Sequence, residues 1–284
     1  MHDSEWMQAW RQLRKRKMSV IGLVIIICLV LAAAFAPVLA PQGPFTQNVS
    51  RANISQPPSF AHWLGTDRLG RDVYSRIVYG ARISLQVGII AEIVTLCIGI
   101  VIGSVAGYWG GWIDGALMRF TDMVFAFPTA LFAIAVMAVF ENPSVGKIIL
   151  VLGFIGWPGV ARLVRSQVMA VKEQEFAQAA RAIGGSDLRI ILCHIIPNSM
   201  APILVVATIG VAGNILTESW LSFLGLGAQP PAPSWGSMIT DGQADMLNKP
   251  WLCMFPGLAI VVTVLGFNLL GDGLRDALDP RLRQ

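Results

Sequence analysis

Apolar residues in this chain gather into six long blocks, Val20–Leu39, Ile83–Gly107, Phe120–Phe140, Ile148–Leu163, Met200–Leu216 and Trp251–Leu270. A helix needs about 20 predominantly apolar residues to cross a bilayer core, so the pattern predicts six spans and an all-α membrane protein. Pro128, Pro158 and Pro256 fall inside blocks. Neighbouring helices can satisfy the backbone groups that proline frees in a membrane, so each block is expected to stay one span. Gly99, Gly103 and Gly107 recur at helical spacing, the last two as G-x-x-x-G, and predict close helix packing.

The polar segments between blocks divide the chain into a cytoplasmic N-terminal segment (1–19), a first transmembrane helix (20–39), an external segment (40–82), a five-helix core (83–271) and a cytoplasmic tail (272–284). The core contains a polar loop at 173–197 and an external loop at 217–250. Arg14-Lys15-Arg16-Lys17 followed by an apolar run has the order of a signal peptide. The run exceeds the usual 7–15 residues of a signal core, which favours a retained first span. With the N-terminus inside, the 21 Lys and Arg divide 14 cytoplasmic to 7 external, the bias expected of cytoplasmic loops, and both termini lie inside.

Composition agrees. The chain is 55% hydrophobic and 13% charged with mean hydropathy +0.62, where a soluble domain carries about a quarter charged residues. The net charge of +4 fits cytoplasmic loops and does not point to nucleic acid. Cys28, Cys97, Cys193 and Cys253 are scattered; three lie in apolar blocks and read as small core residues, with no metal or disulfide pattern.

Residues 173–197, EQEFAQAARAIGGSDLRIILCHIIP, form a polar island. Phe176, Ala179, Ala180 and Ile183 share one helical face. Gly184-Gly185 stop that helix, since glycine takes the left-handed conformation a helix C-terminus often needs. Ser186 and Asp187 are candidate caps for a second helix, with Leu188, Ile191, Leu192 and Ile195 along one face and Pro197 at its end. Two amphipathic helices at a glycine bend need a cover for their apolar faces. Either a partner supplies it, or the loop folds back on its own bundle.

The island resembles the cytoplasmic coupling loop of importer-type ABC permeases, with Ala179, Ala180, Gly184 and Pro197 in register. Gln178 stands where the family has Glu, His194 where it has Ile, and Ile196 where it has Leu. The wording Gly65-Thr66-Asp67, Gly70-Arg71-Asp72 and Ser75-Arg76, then LSFLGLGAQPPAPSWGSMI and LGFNLLGDGLRDALDP, is similar to the C-type permease subunits of dipeptide, oligopeptide and nickel importers. This resemblance implies a six-helix type I permease in the prokaryotic inner membrane. It further implies a second, homologous permease chain, two ATPase subunits docked on 173–197, and an external substrate-binding protein facing 217–250. Phe176, Gln178, Ala179, Ala180, Gly184, Ser186 and Asp187 would then couple to the ATPase.

No nucleotide motif is present: G-x-x-x-x-G-K-[ST] is absent, and neither GLGAQP nor GDGLRD completes G-x-G-x-x-G. ATP and Mg are therefore expected on partner chains, with no cofactor, metal or catalytic residue here. His2, His62 and His194 all lie outside the blocks, which counts against an intramembrane hydrolase. Ionisable groups within spans are costly and invite a functional reading. Glu92 is either a pathway carboxyl or a group that is protonated or bonded to a neighbouring helix. Asp122 is expected to pair with Arg119 one turn away. Glu218, with Trp220 and Phe223, is a candidate external gate, meeting a substrate amino group or solvent. Asp67, Arg71 and Asp72 read as exposed loop ion pairs of little worth. Two rivals stand beside a peptide importer: the same architecture carrying nickel, a metal chelate or glutathione, and a proton-coupled transporter using Glu92.

Overall fold

The computed structural model describes residues 5–50 and 53–278. His2, Arg51, Arg281 and Arg283, which enter the sequence reading, lie outside the described residues. In chain order the helices are α1 (Glu5–Lys15), α2 (Lys17–Ala34), α3 (Ala36–Leu39), α4 (Val73–Trp109), α5 (Gly111–Phe125), α6 (Thr129–Ala138) and α7 (Val145–Val171). They continue with α8 (Glu175–Ala182), α9 (Asp187–Ile190), α10 (Ile196–Asn198), α11 (Met200–Phe223), α12 (Trp235–Gly242) and α13 (Trp251–Leu278). Among the described residues no strand forms. Five helices are long and apolar enough to span a membrane, and α5 with α6 makes a sixth if that bent pair is one span.

The pair bends by 77° at Ala126–Pro128, so the block at 120–140 is not the single straight span expected. Pro128 has no N–H and biases Phe127 away from helical backbone. Only Thr121, Ala133 and Met137 are buried along the two helices, so little packing opposes the break. Pro158 and Pro256 are buried inside α7 and α13, and those helices stay unbroken.

Helix α4 is the axis of the bundle. It starts at Val73 rather than at 83, because Asp72 caps it: its carboxylate accepts from Ser75 N–H at 2.8 Å and Ser75 Oγ–H at 2.7 Å. Its 37 residues run about 55 Å, well beyond the bilayer core. The glycine ladder does what its spacing predicts. A Cβ at Gly99 would meet Val160, one at Gly103 the carbonyl of Ala161, and one at Gly107 the carbonyl of Arg165. Reciprocally, Gly153 and Gly156 of α7 receive Val94 and Thr95 of α4. Backbones at this distance gain dispersion contacts that larger residues would prevent. On another face Gly88 receives Ile215 of α11, and Gly80 receives Trp235 of α12.

Two ends of the bundle follow from the contacts. Arg82 donates to the carbonyl of Ala33, and the Trp251 ring lies against Gly65, so the end of α2 and the start of α13 sit near the Asp67 end of α4. The start of α2 and the end of α13 therefore sit at the Tyr108 end, where Arg16 pairs with Asp276. Cys28 and Cys97 face outward rather than into a core, and Cys253 is half-buried.

Candidate functional site

At the Tyr108 end the polar island is built as two short helices around a glycine turn. Gly184 has φ +84°, and Gly185 N–H returns to the carbonyl of Ala180 at 3.0 Å. The left-handed residue ends α8 as the sequence predicts. Ser186 makes no side-chain cap on α9. Asp187 makes a different bond, accepting from Tyr108 Oη–H at 2.6 Å. Arg181 lies over the same Tyr108 ring at 5.3 Å, and Lys172 Nζ donates to the carbonyls of Gly107 and Tyr108 at 2.9 and 3.3 Å. The island is thus pinned to the last turn of α4, and a tyrosine outside the island supplies the pin. Sequence reading missed Tyr108; an aromatic with a hydroxyl directly at a span end was its only signal.

The helical face is divided differently from the expected one. Ala177 and Ala180 are buried, Ala180 in a cluster with Tyr108, Val168, Ile190 and Ile195. Phe176, Ala179 and Ile183 point outward, Ile183 being 87% exposed. In the second helix Ile190, Ile191 and Ile195 are buried while Leu188 and Leu192 are exposed. The inner face folds back on the bundle, as one of the two expectations for the loop has it, and an outer apolar edge of Phe176, Ile183, Leu188 and Leu192 is exposed. Ala180 belongs to the inner face, which corrects its grouping with Phe176 and Ile183. A π-helical turn at Ile191–Ile195 precedes Pro197, where the missing proline N–H removes the next regular bond. Gln178 is exposed and donates to the carbonyl of Glu173 at 3.1 Å.

Within the spans, Glu92 is buried and accepts from Asn214 Nδ2 of α11 at 2.9 Å. Gly210 faces it, and a Cβ there would collide with the carboxylate. The bond to a neighbouring helix, one of the readings of Glu92, is present. Asp122 pairs with Arg162 of α7 at 2.5 Å, not with Arg119. Arg165 pairs with Asp114, tying α5 to α7 at the same end.

At the Asp67 end Glu218 is fully buried, which removes the reading of it as a simply solvated group. It accepts from Ser222 Oγ at 2.7 Å, with Ser84 and Ser219 at 3.4 and 3.5 Å. Ser234 Oγ in turn reaches Ser222 Oγ at 3.2 Å and caps α12 through Ser237. A buried carboxyl surrounded by hydroxyls joins α4, α11 and the segment leading to α12. Trp220 is 45% exposed and Phe223 half-buried, so of the three gate candidates Trp220 is the most open. Trp235 is fully buried, its Nε1 donating to the carbonyl of Ile77 at 3.0 Å.

The charges read as an exposed loop are in fact a buried network. Asp67 accepts from Arg71 Nε at 2.6 Å and from Arg76, and both arginines reach Asp241 of α12 at 3.4 and 3.5 Å. Asp72 also accepts from or pairs with His62 Nδ1 at 2.9 Å. Arg68 and Lys249 hold the half-buried Asp245 carboxyl below the usual carboxylate range.

Comparison with known proteins places this geometry. Residues 99–284 match the family model of the binding-protein-dependent transport system inner membrane component, and residues 4–58 match the N-terminal TM domain of oligopeptide transport permease C. A dipeptide transport system permease protein DppC of Alkalihalophilus pseudofirmus is 47% identical over 99% of this chain and 91% of its own length. A glutathione transport system permease protein GsiD of Escherichia coli is 44% identical over 98% and 91%. Among solved structures, an inward-facing MetNI methionine ABC transporter chain is similar with TM-score 0.58 and 16% identity, over 72% of this chain and 96% of that one. A chain of an amino acid ABC transporter is similar with TM-score 0.54 and 13% identity, over 71% and 94%. Both likenesses bear on the fold.

Proposed function

This chain belongs to the family of binding-protein-dependent transport system inner membrane components, and on that premise we propose that it carries dipeptides or related peptide-like solutes inward through an ABC importer. It is the permease subunit: it forms part of the path and carries out no bond chemistry. ATP and Mg belong to two partner ATPase subunits, a second homologous permease completes the path, and an external binding protein delivers the solute. Both termini and the Tyr108 end face the cytoplasm, and the Asp67 end faces outward.

The observation that carries this reading is the uncovered apolar edge around Gly184. An amphipathic turn pinned rigidly to α4 by Tyr108, Asp187 and Lys172 can pass a push from a docked ATPase into the longest helix of the bundle. The relatives named for dipeptide and glutathione transport support the solute class. Membership of a binding-protein-dependent transport family, together with the coupling-like turn at 173–197, argues against a proton-coupled carrier built on Glu92. The test is purification of the assembled complex in mild detergent, then uptake of labelled dipeptide, glutathione and nickel into vesicles. Dipeptide uptake that needs ATP and the binding protein is expected. Uptake of nickel alone, or uptake driven by a proton gradient without ATP, would replace this reading.

A further inference from the structure

The start of α4 and the end of α12 enclose a cavity whose wall includes Asp67, Arg68, Arg71, Arg76, Thr240 and Asp241. Three arginines face two aspartates there. Arg71 and Arg76 are buried, with side chains 8% and 4% exposed. A buried guanidinium must have its five donors met or bear a desolvation cost.

Asp67 has no capacity left for them. Its Oδ1 already accepts from the backbone N–H groups of Leu69 and Arg71, both at 2.9 Å, and its Oδ2 accepts from Arg71 Nε and from Arg76. Four donors fill the roughly four lone-pair sites of a carboxylate. The outward N–H groups of both arginines are left with Asp241, whose one oxygen lies at 3.4 and 3.5 Å, the limit of a hydrogen bond. Among the described residues Arg76 Nε has no hydrogen-bond partner. Asp241 is 46% exposed, so the inner half of the network is tight and the outer half is loose and open to solvent.

We propose that Arg71 and Arg76 form a carboxylate-exchange site on the external face, with Asp241 as its loose resident and an incoming carboxylate as its replacement. The inference rests on the importer reading above, which makes this end external. Two neighbouring planar forks suit a carboxylate, and a two-oxygen ligand in the cavity would satisfy donors that Asp241 reaches only at the limit. Displacing Asp241 would also free the end of α12 from α4. The carboxylate is either the terminal group of the peptide cargo or an acidic side chain of the docked binding protein.

The test uses the whole importer in proteoliposomes with its binding protein, loaded with Ala-Phe or with the Ala-Phe C-terminal amide, loading being checked by calorimetry. Asp241→Asn removes the resident charge at an exposed position. It is expected to lower the binding-protein concentration that half-saturates ATP hydrolysis by about three- to tenfold, and Arg71→Gln to raise it. If the entering group is the cargo terminus, the Asp241→Asn shift appears with Ala-Phe and not with its amide; if it belongs to the binding protein, the shift appears with both. No shift, or a rise, in both Asp241→Asn and Asp241→Ala overturns the site and leaves a purely structural ion network. A wild-type importer that does not respond to loaded binding protein would instead fail the importer reading itself.

Discussion

Ile183 and Ala180 lie three residues apart on one short helix and its cap, yet the structure gives them opposite duties. Ile183 is 87% exposed, on the outer edge of the glycine turn. If an ATPase covers it, burial of that side chain contributes about 1.5–3 kcal/mol. Ile183→Ala forfeits most of this. A loss of about 2 kcal/mol weakens ATPase docking by roughly 30-fold. The permease itself should barely notice, because exposed substitutions usually change stability by under about 0.5 kcal/mol. Ala180 is 8% exposed, packed among Tyr108, Ile190 and Ile195. Ala180→Glu places a carboxylate in that cluster and should destabilise the cytoplasmic end by several kcal/mol. The assay has two readings on each variant: thermal unfolding of the purified permease pair, and the ATPase concentration needed to restore binding-protein-stimulated hydrolysis. Ile183→Ala should shift the second and leave the first, while Ala180→Glu should shift both. Unaltered ATPase affinity in Ile183→Ala would show that the outer edge is not a docking surface. Unaltered melting in Ala180→Glu would show that the division into inner and outer faces is wrong.

Other outcomes follow from the buried polar centres. Gly210→Ala should destabilise the α4–α11 contact by about 1–3 kcal/mol, because its methyl group meets the Glu92 carboxylate; Glu92→Ala should restore melting in the double variant, and failure to do so would remove the contact as the cause. Asp67→Asn should cost about 3–5 kcal/mol by leaving Arg71 and Arg76 buried without their shared charge, read as loss of folded permease in detergent. A reporter fused after Gln284 should read cytoplasmic and one inserted at Gln229 external; the reverse at either site would invert the topology.

The spans were legible because a bilayer imposes length and composition on any helix that crosses it. Gly99, Gly103 and Gly107 were legible for a related reason: close approach of two helices leaves a periodic trace in one of them. What sequence could not show was pairing across distance. Nothing local links Arg71 to Asp241, Tyr108 to Asp187 or Asp122 to Arg162, and for Asp122 the nearest candidate in sequence, Arg119, was the wrong one. The same blindness made Pro128 look equivalent to Pro158. Both lie in apolar blocks, and only the packing around them decides which bends.

The misread charges share one physical feature. Each lies where a helix end meets a segment from elsewhere in the chain: Asp67 and Arg71 just before α4, Glu218 near the end of α11, Asp187 at the start of α9. Helix ends carry unmet backbone groups and so collect polar side chains; apolar periodicity, which locates the helices, carries no information about how those polar groups pair. In the importer proposed above, these ends would also be the places touched from outside, by an ATPase at one face of the membrane and a binding protein at the other. Contacts arriving there meet networks that already join distant segments: Tyr108–Asp187 ties the loop to α4, and the arginine pair ties α4 to α12. Because α4 takes part in both, a displacement imposed at one end reaches the other along one 37-residue helix whose glycine seam against α7 leaves little room for independent movement.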